Sequence, residues 1–497
     1  MHLVAEAIED DNAPTDKDLL ALFEEIDAKL GEAPVKIDAE FFTNPRGLPL
    51  LEELKSPFAH WLRFNMKLSE PESECVANRF PAYFVLALNH EWGRGLGEYQ
   101  PLVENLKTPF TEADAIERDW FRYRAHLEAQ ANAPVFDESF GLRDVYIPLR
   151  AAVAVESGEK RGASRADADE GPKSRSHRLV DLKAEVLGWI RGVTVDRDDI
   201  RVICGGLGCG KSTFGTMLSA DLAAAGDMRV VFVRLHELVL SGDLGRSISQ
   251  LMENAAHFRH DLFAQDELNQ DLLLVLDGLD EYTEQTDAKE AVENFLFHLR
   301  TALGQYNSGG VRVRVILSGR NNVIDPNKFG GEAQVLHVMP YLISKEERDR
   351  LKFVKSEIDP EFDQRPDWWR RYGLTRNETI DEMPSELNTE NLTEITSQPL
   401  LNYLVALSHT RKQLKFGEAT TRNEIYADLI DAVHERKWGG RKGAGKQFTG
   451  DLSKTEFESL LQEIALAAWH GKQRTVTVGE IEEYCGRRPG TDLRVHA

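Results

Sequence analysis

The sequence predicts a multidomain chain of α and α/β units, in which a doubly wound parallel-sheet core lies between helical regions. Three observations predict it. A glycine-rich loop follows a short apolar strand and opens a helix, residues 201–213 reading RVICGGLGCGKST. The run 271–277, DLLLVLD, is continuously apolar and ends in a carboxylate, as a strand buried on both faces does when its tip carries a ligand. Strand-like runs, including 229–235, are confined to the middle of the chain, and apolar residues at helical spacing lie on both sides of it.

The loop is a phosphate cradle. Gly205 and Gly210 are expected to take backbone angles that side chains forbid, so that the N–H groups of Gly205, Gly206, Leu207, Gly208, Cys209, Gly210, Lys211, Ser212 and Thr213 turn toward phosphates. Lys211 supplies a point charge at the β- and γ-phosphates, and the Ser212 hydroxyl ligates Mg²⁺. The helix that follows directs its positive end to the same place and stops at Gly226. Asp277 is the expected second Mg²⁺ residue, acting through water. Together these features predict a nucleoside-triphosphate site.

After Asp277 the chain reads Gly278-Leu279-Asp280-Glu281-Tyr282. A small residue therefore follows the metal aspartate, where motor ATPases usually carry the water-activating glutamate. This Asp-Gly-Leu-Asp-Glu pattern resembles the signature of bacterial NACHT ATPases, within the STAND class of signalling NTPases. The resemblance implies that Asp280, and secondarily Glu281, orient and polarise the attacking water; ordinary loop acids are the alternative. Residues 311–320, VRVRVILSGR, are similar to the family's sensor strand, which would bring Arg320 to the γ-phosphate; a surface arginine is the alternative. Residues 397–404, SQPLLNYL, resemble the proline motif of the family's helical domain, with Pro399 packing on the nucleotide. Pro399 equally suits the first position of a helix. The family implies ATP rather than GTP, and no guanine-reading N-K-x-D motif follows the core.

Composition limits the remaining classes. At 497 residues and 41% hydrophobic content the chain has room for about three domains with real cores. Cys75, Cys204, Cys209 and Cys485 show neither disulfide nor zinc spacing, which fits a reducing cytosol. Cys209, beside a helix N-terminus, is a position where a thiol's pKa could fall and allow a redox brake, although a tolerated small residue explains it as well. The N-terminus is acidic without a long apolar core, and no run reaches membrane length, so no membrane partner is expected. A formal charge of −23 opposes non-specific attraction to nucleic acid or anionic lipid. The one dense basic stretch, 436–446, is glycine-rich; its GAGK lacks a preceding strand and has Gln447 where a hydroxyl is needed.

In chain order, residues 1–155 are expected to form a helical N-terminal domain, with helix starts at Asp16 and at 108–112. Its aromatics, among them Trp61, Phe64, Tyr83, Trp92, Trp120 and Tyr123, are expected in the core. Residues 79–89 and 140–149 look like the N-terminal extensions of bacterial NACHT proteins. Asp38 with Glu53 and Lys55 imitates a nuclease pattern, but on helical sequence, and His90-Glu91 lacks a second histidine. Residues 156–177, small and charged, read as a flexible linker. The ATPase core spans 178–343. A helical lid domain follows at 344–430, opened by a capping box at Ser344 and Glu347. Residues 431–497 resemble an incomplete winged helix, implying a chain truncated before the sensor region usual in the family. The resulting expectation is a cytoplasmic, ATP-hydrolysing switch that self-assembles on an unidentified activating ligand, plausible in antiphage defence. A mechanochemical ATPase and a non-hydrolysing nucleotide-stabilised scaffold are the alternatives.

Overall fold

The computed structural model describes residues 14–32, 36–95, 97–111, 113–135, 138–155, 176–192, 199–240, 243–256, 258, 270–282, 288–307, 312–354, 357–412, 414–417, 420–435, 453–470 and 481. Its centre is a seven-stranded sheet built from β1 (Arg150–Ala154), β2 (His177–Asp181), β3 (Ile200–Cys204), β4 (Arg229–Arg234), β5 (Leu272–Asp277), β6 (Val313–Gly319) and β7 (Val335–Val338). The spatial order is β2-β1-β7-β3-β6-β5-β4. Strands β3 to β7 pair in parallel, and β1 runs antiparallel to both β7 and β2.

Strands β5 and β6 are buried along their whole length, as expected of central strands covered on both faces. One face packs Ile203, Val275 and Ile316 against Phe214 and Leu218 of the helix Lys211–Ala225. That apolar cluster continues into Trp368, Leu392 and Tyr403, so the core and the following helical region share one interior. The other face packs Val202, Leu274 and Leu317 on Phe295 and Leu299 of the helix Ala288–Tyr306.

The N-terminal region is helical through Ala131, as expected, with its own cluster of Leu22, Phe58, Trp61, Val76 and Tyr83. Most of its aromatics are buried, but Phe64 is 64% exposed at the end of the helix Pro49–Phe64. Its last long helix, Ala115–Ala131, packs on the core. Trp120, Tyr123 and Leu127 join the sheet's second cluster, while Ala131 meets Met217 and Ala220. The Tyr123 hydroxyl accepts the Phe232 N–H at 3.0 Å and donates to the Phe232 carbonyl at 3.4 Å, which closes the polar edge of β4.

The structure differs from the sequence expectations in several places. Arg150–Ala154 lies in the stretch expected as helical domain but is a strand of the core sheet. Its small Ala151 and Ala152 fit between two close neighbours and carry no strand signal of their own. The linker's expected end, His177, is likewise the first residue of β2; residues 156–175 lie outside the described residues. Of the helix start expected at 108–112, residues 108–111 form instead a buried turn, in which the Thr108 and Thr111 hydroxyls accept each other's backbone N–H, and residue 112 lies outside the described residues. The helix begins later, where Asp114 accepts the Glu117 N–H at 2.9 Å. The helix Arg422–Glu435 crosses the boundary expected at 430. The start at Asp16, the Ser344 cap and the Gly226 stop agree with expectation. Asp38 caps the short helix Ala39–Thr43, and Lys55 pairs with Glu52, which leaves the nuclease pattern a set of ordinary helical contacts. The basic 436–446 stretch and the winged-helix signal lie outside the described residues, apart from Ile481. No helix among the described residues is long and apolar enough to cross a membrane.

Candidate functional site

Five strands running the same way bring the ends of β3, β5 and β6 to one edge of the sheet, where the phosphate loop leaves β3. The helix Lys211–Ala225 begins directly at the loop and points its N-terminus into it. Gly210 takes the expected left-handed backbone, with φ +96°. Gly205 does not, and its lack of a side chain serves another purpose: a Cβ there would lie 2.6 Å from the Cys209 sulfur. The Lys211 ammonium donates to the carbonyls of Gly205 and Gly206, each at 2.9 Å, and thereby holds the loop's own acceptors.

At the tip of β5, Asp277 is buried and its Oδ1 accepts a hydrogen bond of 2.5 Å from Ser318 on β6. The same Ser318 oxygen accepts the Gly278 N–H at 2.9 Å. Gly278 has φ +86°, a conformation that strains any residue with a Cβ, so a glutamate could not stand there without distorting the turn. The chain then enters the single helical turn Leu279–Tyr282, which carries the acidic pair.

The two acids are held from opposite sides. Asp280 is 8% exposed, and its Oδ2 lies 2.6 Å from Nε of Arg320, at the end of β6. Glu281 is half exposed, and its Oε2 lies 2.9 Å from Nδ1 of His236, just past the end of β4. Arg320 is therefore an ion-paired residue of the site and not an unattached surface arginine.

Lys211, Ser212, Thr213, Asp280, Glu281, Ser318 and Arg320 line the polar end of a chamber of about 300 Å³. Its apolar walls come from Val145, Tyr146 and Leu149 on the approach to β1, and from Trp368, Leu400 and Tyr403 in the helical region. Pro399 lines the chamber and begins the helix Pro399–Arg411, as the helix-start reading expects. The Leu400 N–H donates to the Gly208 carbonyl at 3.1 Å, fastening the helical region to the phosphate loop. Arg150 reinforces that closure by donating to the carbonyls of Phe362, Pro340 and Tyr341 at 2.8, 3.2 and 2.8 Å. Burial pushes the phenols of Tyr146 and Tyr341 up, so both remain neutral in the wall.

Of the two readings of Cys209, the tolerated small residue fits the structure and the redox brake does not. Burial pushes Cys209 up, and the neighbouring Lys211 only partly offsets it; Cys204 is pushed up to about 12. Cys209 is thus a buried thiol rather than an activated one.

A chamber with an apolar slot at one end and a lysine-bearing loop at the other suits a planar base joined to phosphates. Among the described residues no group of three or more His, Cys, Asp or Glu is arranged to hold a metal by itself. Ser212 and Asp277 offer one hydroxyl and one carboxylate, a set that would suit Mg²⁺ only with further ligands from phosphate and water. A larger cavity of about 840 Å³ shares Gly205 to Leu207 but is lined by His177, Glu332, His337 and Arg350, without Lys211 or the acidic pair. Lys211, the acidic pair and Arg320 line the smaller one.

Ser318, His236 and the Tyr146–Leu149 wall were missed by sequence reasoning. Alternation along a strand was a usable signal for Ser318, since it places residue 318 on the same face as 320. Nothing local marked His236 or residues 146–149.

The parallel sheet, the loop and the surrounding helical regions define a P-loop nucleotide-binding protein. Residues 3–142 match the family model of NACHT N-terminal helical domain 3. The N-terminal region of the chain is thus similar to a helical domain found in NACHT proteins. No curated protein matches the chain. Among solved structures it is similar to AMPPCP-bound DnaA from Aquifex aeolicus, at 16% identity over 61% of this chain and 81% of that one, with a TM-score of 0.27. It is also similar to Cdc6p from Pyrobaculum aerophilum, at 15% identity over 60% of this chain and 76% of that one, with a TM-score of 0.27.

Proposed function

We propose that the protein is an ATP-binding and ATP-hydrolysing switch whose nucleotide state governs its assembly. The observation that carries this reading is the chamber itself: the phosphate loop, the acidic turn, Arg320 and the Pro399–Leu400 segment of a second region all line one cavity. A ligand there touches both regions, and only contacts that differ between ATP and ADP can shift such an equilibrium.

In this reading the loop N–H groups and Lys211 bind the phosphates, and Ser212 and Asp277 hold Mg²⁺. When bound, Mg²⁺ neutralises charge on the β- and γ-phosphates. Asp280 orients and deprotonates the attacking water, Glu281 assists, and Arg320 leaves Asp280 to meet the γ-phosphate. Pro399 and the tyrosine-rich wall exclude water from the base. The proposed division is a helical N-terminal domain that ends before β1, an ATPase core to 343 that takes in β1 and β2, a helical lid that runs through the helix Arg422–Glu435, and a winged-helix-like region after it. A cytoplasmic location, self-assembly on an activating ligand and a role in antiphage defence follow from the resemblance to bacterial NACHT proteins.

The second reading is a scaffold that binds ATP without turnover, and the Arg320–Asp280 pair favours it in one respect, because it occupies the proposed base. Identification of the co-purifying nucleotide, followed by sizing of the protein with ADP and with a non-hydrolysable ATP analogue, separates the two. A switch changes size or shape between them. Identical behaviour in both nucleotides overturns the switch and leaves the scaffold.

A further inference from the structure

Ser318 occupies a position that the phosphate-binding residues alone do not explain. It is 4% exposed, lies on β6 beside the tip of β5, and lines the chamber. Its hydroxyl has one proton and sits between two groups. The Gly278 N–H is only a donor, so at 2.9 Å the serine oxygen must accept there. Its proton is therefore committed to Asp277 Oδ1, at 2.5 Å. The consequence is directional. One carboxylate oxygen of Asp277 is fixed by a charge-assisted hydrogen bond, which selects a single rotamer and leaves the second oxygen to a cation.

The other half of the contact reaches the acidic turn. The Gly278 carbonyl accepts the N–H groups of Glu281 and Tyr282, at 3.0 and 3.2 Å, and so starts the turn that presents Asp280. Holding the N–H of the same residue, Ser318 fixes the peptide that joins the metal carboxylate to the water-orienting acids.

We propose that Ser318 is a positioning residue for Mg²⁺ binding: it orients Asp277 toward the cation and ties that orientation to the Gly278 turn. The proposal rests on the reading of Asp277 as a Mg²⁺ ligand. Its predicted signature is specific, because Ser318 acts on the cation through Asp277 and leaves the loop–phosphate contacts intact.

The test uses the full chain and a ribose-labelled fluorescent ATP, titrated in EDTA and across Mg²⁺ concentrations. In Ser318→Ala the Mg²⁺ concentration giving half of the tightening rises roughly 10–100-fold, as is usual when a hydrogen bond to a metal-ligating carboxylate is lost, while affinity in EDTA stays at the wild-type value. Ser318→Thr, which keeps the hydroxyl, restores the wild-type Mg²⁺ dependence. Should the alanine variant fail to fold, Ser318→Cys keeps the volume with a much weaker donor and shifts the Mg²⁺ dependence in the same direction. Wild-type Mg²⁺ dependence in a folded alanine or cysteine variant overturns the proposal, as does an equal loss with and without Mg²⁺. A wild-type protein that binds the nucleotide equally in Mg²⁺ and EDTA overturns Asp277 as a ligand, and the proposal with it. A wild-type protein that binds no nucleotide overturns the function as a whole.

Discussion

Arg320 Nε lies 2.6 Å from Asp280 Oδ2, so the residue proposed to read the γ-phosphate is paired with the acid proposed to polarise water. In the proposed switch the pair would couple sensing to chemistry, since a γ-phosphate that drew Arg320 away would release Asp280 in the same movement. The acid's low exposure keeps this exchange from being screened by solvent.

Arg320→Ala is therefore expected to weaken the distinction between ATP and ADP more than it weakens ADP binding. The measurement is the ratio of the two affinities, with the size distribution in each nucleotide as a second readout. An unchanged ratio removes Arg320 from the sensing role.

The two acids make a second contrast. Asp280→Asn is expected to retain ATP and to lower kcat strongly, because an amide still hydrogen-bonds but accepts no proton. Glu281→Gln, at a half-exposed position tethered to His236, has the smaller effect. Single-turnover hydrolysis of both variants decides between them, and the reverse ranking moves the base to Glu281.

Lys211→Ala removes the ammonium that holds the Gly205 and Gly206 carbonyls and meets the phosphates in the proposed complex. A charge-assisted contact of about 1.5–3 kcal/mol corresponds to a loss of roughly tenfold or more in ATP affinity. Titration calorimetry on the folded variant measures it. Wild-type affinity would sink the phosphate-loop assignment.

Tyr123→Phe tests the docking of the N-terminal region on the core. The lost hydroxyl leaves the N–H of Phe232 without its acceptor at a part-buried edge, which costs about 1 kcal/mol. Urea unfolding should show a lower midpoint with little change in slope. Equal midpoints would mean that water replaces the hydroxyl at no cost.

Legibility in the sequence followed the range of the interactions. The phosphate loop was plain because all its parts lie within a few residues: a strand, glycines, a lysine and a helix start. Asp277 was readable from the apolar run that ends at it, and Asp280, Glu281 and Arg320 from the resemblance of their segments to the NACHT signature and sensor strand. The strands β1, β2 and β7 escaped detection because they are four or five residues long, and β1 is mostly alanine. Their pairing comes from neighbours far along the chain, not from any propensity of their own. Cys209 had two readings in the sequence, a thiol lowered by the helix start and a tolerated small residue, and packing that buries the thiol and raises its pKa fits the second.

The sequence by itself determined that this chain carries a glycine-rich loop before a helix, a carboxylate at the tip of an apolar strand and an acidic turn on a parallel sheet, since each is written in consecutive residues and enforced by local backbone geometry. Only the tertiary structure decided which of these residues meet. Ser318 reaches Asp277 and Arg320 reaches Asp280 because parallel strand pairing aligns the tips of β5 and β6, and Leu400 reaches Gly208 because the shared apolar cluster draws the helical region over the loop. Those contacts join segments distant in the chain. Their geometry is set by the register of the sheet and the packing of its faces, which no short stretch of sequence contains.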